Sequence, residues 1–115
     1  MYDEEITEEL ERILGGVREI INASTAGKSI CSIQKHGSPS DDLKFNEGKE
    51  FIVRKVLALI EREASEDRIN AFLSENERKF VTYKSSESTA STSWQSYADG
   101  GFEGIALIRN LLHIT

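Results

Sequence analysis

One stretch limits what this chain can become: FIVRKVLALIERE, Phe51 to Glu63. Ile52, Val56, Leu59 and Ile60 recur at helical spacing, and Val53 and Leu57 widen the stripe. Arg54, Lys55, Glu61 and Arg62 fall mostly on the other side. An apolar arc that wide needs partners on more than one flank, so the segment reads as the central helix of a small core. Residues 47–64 are assigned to it, with Asn46 as its cap. The 115 residues fit one domain, and a domain of that size buries enough surface to fold without a metal or disulfide staple.

The clearest amphipathic helix comes earlier, over residues 3–21. Ile6, Leu10, Ile13, Leu14, Val17, Ile20 and Ile21 lie along one face, and Asp3 suits the N-cap. Gly15 and Gly16 interrupt it without disturbing the apolar period, which favours a close-packed neighbour over a hinge. Past Ala64 the apolar set Ile69, Phe72 and Leu73 is out of phase with the central helix. A further helix therefore starts near Glu66, with Ser65 as cap, and runs to about Arg78. Residues 102–112 repeat through Ile105, Ile108, Leu111 and Leu112 as a closing helix.

Three segments carry strand character. KSICSIQK (residues 28–35) is a weak candidate, followed by a loop over residues 36–42. KFVTYK (79–84) has good β propensity. The Ser/Thr-rich run after it reads as a hairpin turn at residues 85–88 and a return strand, 89–97, carrying Trp94. Asp99, Gly100 and Gly101 then form a sharp turn before the closing helix. The expected fold class is α+β: about four helices around the central one, with a two- to three-stranded antiparallel sheet.

Charge and composition narrow the function. The net charge of −6 disfavours a nucleic-acid binder. Asp3, Glu4, Glu5, Glu8, Glu9 and Glu11 crowd the first helix. Carboxylates favour a helix N-terminus on dipole grounds alone; as a functional surface they would meet a basic partner. The single cysteine, Cys31, allows no internal disulfide and is expected to be a small core hydrophobe. The acidic N-terminal stretch is unlike a signal peptide and no run is apolar enough to cross a bilayer, so a cytoplasmic location is the default expectation.

No constellation reaches catalytic specificity. Gly27-Lys28-Ser29 ends like a phosphate-binding loop, but Asn22 stands where its first glycine belongs, and a helix rather than a strand precedes it. Cys31, His36 and His113 lack the paired spacing of a metal site. No cofactor or metal is expected. The first functional expectation is a non-enzymatic protein-binding module of the regulator, inhibitor, immunity or adaptor kind. Glu4, Glu5, Glu8 and Glu11 would be its contact face toward another, basic protein. The alternative is a small-ligand binder or modest enzyme at the hairpin. There the Gly100–Gly101 turn opens a helix toward an anion or nucleotide, Trp94 or Tyr97 stacks on a ring, and Lys84 supplies countercharge. A third expectation is a homo-oligomer that covers the apolar C-terminal segment, Leu111 to Ile114.

Overall fold

The computed structural model describes residues 4–25, 41–85 and 92–113. Those residues form four helices: α1 (Glu4–Thr25), α2 (Asp41–Glu61), α3 (Glu66–Ser85) and α4 (Thr92–Leu112). No strand occurs among the described residues, so the expected α+β class is overturned in favour of an all-helical one. Residues 28–35, with Cys31, and most of the 36–42 loop, with His36, lie outside them, as do Asp3 and Gly27-Lys28-Ser29.

The central place of α2 holds. It packs most extensively against α4 and next against α1, whereas α3 rests on α4 and barely touches α2. Ile52, Val53 and Val56 are fully buried and Leu57 nearly so, while Leu59 and Ile60 pack from the edge of the core. Leu10, Leu14 and Val17 bring α1 into the same interior, which Ile69, Leu73, Phe80, Ile105, Ile108 and Leu112 complete. The start of α2 lies earlier than expected: Asn46 sits inside the helix, and Leu43 is already buried.

The segment expected to be a strand, 79–84, is the last part of α3. Its β-prone residues are outvoted by packing, because propensity is a weak prior beside burial. Ile69, Leu73, Asn76, Phe80 and Tyr83 run in steps of four and three along one side of α3. Asn76, the polar member, is buried, and its Nδ2 donates to the Phe72 carbonyl at 2.9 Å. That local bond satisfies the amide where a polar residue in the stripe conceals its continuity. Residues 92–97 of the expected return strand and the turn at Asp99–Gly101 belong to α4, which runs unbroken through both glycines, while residues 86–91, with most of the expected hairpin turn, lie outside the described residues.

The reason lies in what the glycines touch. A Cβ on Gly100 would lie 2.6 Å from the Phe45 carbonyl carbon and closer still to its oxygen. One on Gly48 would lie 3.0 Å from the Gly101 nitrogen and closer to the Tyr97 carbonyl oxygen. The backbones of α2 and α4 thus meet where neither helix carries a side chain. Gly101 takes a core position along the row Ala98, Gly101, Ile105, Ile108 and Leu112, and the Phe80 ring occupies the space its side chain would need. Gly15 and Gly16 behave otherwise. Nothing lies within 4 Å of a Cβ at either, so the close-packed neighbour expected there is absent among the described residues.

Between α2 and α3 the chain turns through a Schellman cap. Ala64 N donates to Leu59 O and Glu63 N to Ile60 O, both at 3.0 Å, with Glu63 at φ 57°. Ser65 then caps α3 as expected, accepting from Arg68 N at 3.2 Å through Oγ. Glu63 is in the left-handed region that disfavours a side chain, so Glu63→Gly should raise stability by about 1 kcal/mol. A thermal midpoint that fails to rise would remove the strain assigned to this cap.

Candidate functional site

Two surfaces hold the residues singled out from the sequence. The first is the outer side of α1. Leu10, Leu14 and Val17 commit the inner side to the core, and the helical repeat then turns Glu4, Glu8 and Glu11 outward in one row. These three and Glu5 are exposed and make no ion pair among the described residues. Glu9, nearer the flank, does pair: Arg12 Nε donates to its Oε2 at 3.0 Å, and the carboxylate holds the guanidinium pKa above its ordinary value. The row continues into Gly15 and Gly16, both exposed, so bare backbone follows the carboxylates along the same face.

The second surface is the end of the α3–α4 pair. Trp94 and Tyr97, one turn apart on α4, meet ring edge to ring face at 5.7 Å. Tyr83 on α3 lies 5.7 Å from Trp94, and Phe80 lies 6.0 Å from Tyr97. Offset and tilted ring contacts of this kind hold the two helices together. Trp94 remains 49% exposed at the rim. Burial, and then the neighbouring Tyr83, Glu47 and Glu50, push the Tyr97 phenol above its ordinary pKa. A phenol more easily protonated in the folded state contributes stability below about pH 10 that is lost as pH rises through the folded value.

The structure separates the residues grouped for an anion or nucleotide. Trp94 and Tyr97 do come together. Lys84 is nearby but engaged, its Nζ 2.6 Å from Asp99 Oδ1. Gly100 and Gly101 lie well inside α4 and are buried against α2 and Phe80, not at a helix start. Their N–H groups belong to helix interior, where each has a carbonyl one turn back, so the free donors that an anion would need are missing. Asp99 caps nothing; it is an exposed mid-helix residue tied to Lys84.

Sequence reasoning missed Arg109. Its Nη1 donates to Glu77 Oε2 at 2.7 Å and its Nη2 to Ser74 Oγ at 3.3 Å, joining α4 to α3 across their polar margin. No spacing in the sequence signals that pair, because the partners are separated by 32 residues. Among the described residues, no group of three or more His, Cys, Asp or Glu is placed to hold a metal ion. His113 is exposed at the end of α4. Leu112 is buried in the chain's own core, and Leu111 is partly buried against it. No described helix is long and apolar enough to cross a membrane.

The chain matches no known family, no characterised protein and no solved structure.

Proposed function

We propose that the protein is a small, acidic, non-enzymatic module that binds another protein through the outer side of α1. The observation that carries this is the row Glu4, Glu8 and Glu11, with Glu5 beside it, on a helix whose inner side is spent on the core. Carboxylates left without cations present an unneutralised field, which steers a basic surface toward the helix and sets its orientation. The helix dipole accounts for acid in the first turn, Glu4 and Glu5, but its influence fades beyond that turn and does not reach Glu11. The acidic row does not choose between a regulator, an inhibitor, an immunity protein and an adaptor.

The test compares captured partners. Full-length wild type and the Glu8→Lys/Glu11→Lys variant are immobilised and exposed to lysate of the source cells at low and at 0.5 M salt. Proteins bound through α1 should be lost from the variant and weakened by salt, since exposed charges are screened beyond about 10 Å at 0.1 M. The thermal midpoint of the variant should stay close to wild type, because both side chains are exposed. Identical captured sets on both baits would reject α1 as the docking surface.

A further inference from the structure

Gly15 and Gly16 are the feature of α1 that the fold leaves unused. Both are exposed, and nothing lies within 4 Å of a Cβ at either. Elsewhere glycine marks a place where elements meet: Gly48, Gly100, Gly101 and Gly104 each face a neighbour that a side chain would crowd. At Gly15 and Gly16 no such contact among the described residues offsets the helix propensity given up, which is worth roughly fivefold in the local equilibrium at each site. The pair therefore lowers the stability of α1 itself.

The attachment of α1 is also one-sided. It packs on α2 and on no other helix to a comparable extent. Arg18 reaches Glu50 of α2 at 3.4 Å, but Arg54 already holds that carboxylate at 3.0 Å. α3 and α4 are tied more firmly, by Lys84 to Asp99 at 2.6 Å and by Arg109 to Glu77 at 2.7 Å. On α2, Val53 and Leu57 follow Glu50 in steps of three and four, so they lie on the side that Arg18 of α1 reaches. Both are buried. The contact of α2 with α4, the most extensive in the fold, and that of α3 with α4 are made without α1.

We propose that α1 is a releasable cover: it unfolds from α2 as a unit while α2, α3 and α4 stay together, and its opening bares the row of Val53 and Leu57. Leu10, Leu14 and Val17 hold it closed, and the glycine pair sets how often it opens. Ile69, Leu73, Phe80, Ile105 and Ile108 remain as the core of the three helices left behind. Proteins open in such cooperative units, the least stable ones first. The closed state shows the acidic row of α1 and the open state shows an apolar row of α2, so one equilibrium selects which surface the chain presents. The device is a property of the chain alone and does not depend on what meets the acidic row.

Native-state hydrogen exchange on the full-length protein, read by NMR across a urea series below the unfolding transition, tests this. The slowest amides of α1, from Leu10 to Val17, should exchange at least about tenfold faster than the slowest of α2 and α4. Their urea dependence should be weaker, because less surface is exposed when α1 opens alone. Gly15→Ala/Gly16→Ala should slow α1 exchange by about tenfold or more. Phe80→Leu supplies the contrast. It loosens packing between α3 and α4 that stays formed when α1 opens, so it should speed exchange in α2 and α4 and leave α1 unchanged. Circular dichroism on each variant checks that the helices are intact. Amides of α1 as slow as those of α2 and α4 in the wild type, or sped by the same factor in Phe80→Leu, would overturn the release of α1 and make its unfolding part of the global transition. The measurement uses the protein alone, so its outcome is independent of the capture comparison.

Discussion

Gly100→Ala should cost about 3 kcal/mol or more, a large part of the margin of a domain this size. One added methyl group does this because its neighbour is backbone. The new Cβ would press on the Phe45 carbonyl, with the carbonyl carbon at 2.6 Å, and no rotamer change can relieve it. Only moving α2 away from α4 makes room, and that loosens the most extensive contact in the fold. The control has the opposite sign. Gly15→Ala and Gly16→Ala add a methyl group to open space on α1, where alanine is the better helix former by up to about 1 kcal/mol per site. Urea unfolding of the three variants checks both signs together; a stabilised Gly100→Ala would mean that the helices do not approach as described.

Phe80→Ala is expected to remove about 3–5 kcal/mol. The ring is 2% exposed, occupies the position that Gly101 leaves open, and meets Tyr83, Tyr97 and Phe102 at 6.1, 6.0 and 5.8 Å between centroids. Its loss opens a cavity where α3 joins α4, the contact on which α3 relies more than on its few with α2. Coupling gives a sharper check. Gly101→Ala collides with the ring in the wild type but has more room beside the leucine of Phe80→Leu. The double variant should therefore be less damaged than the sum of the singles, as expected for residues in contact. Strict additivity in urea unfolding would separate Phe80 from Gly101.

The same two contacts explain what the sequence made legible. The apolar runs of α1 and α2 are continuous, and both helices, with the central place of α2 and the Ser65 cap, follow from period and cap chemistry alone. The ends of α3 and the start of α4 do not. Asn76 puts a polar residue in the α3 stripe, and the β-prone Phe80, Val81, Thr82 and Tyr83 then mimic a strand. In α4 the stripe passes through Ala98 and Gly101, whose small side chains hide it, and Gly100-Gly101 imitates a turn. In α4 the missing bulk is supplied from elsewhere, by the Phe80 ring of α3 at Gly101 and by the Phe45 backbone of α2 at Gly100, relations visible only in three dimensions. The exposed row on α1 was legible from its spacing.

The most direct measurement is a NOESY spectrum of the full-length protein with Gly48, Gly100 and Gly101 assigned. With a Cβ position on Gly48 only 3.0 Å from Gly101 N, an α-proton of Gly48 should give a strong cross-peak to the Gly101 amide. An α-proton of Gly100 should likewise reach that of Phe45, whose Cα lies 3.0 Å from the corresponding Cβ position. Sequential amide–amide peaks should run through Gly100 and Gly101 as in any helix interior. Both interhelical peaks together with that helical run would establish the glycine crossing of α2 and α4. Their absence, with extended-chain sequential peaks at Gly100 and Gly101, would contradict it and return the segment to a turn.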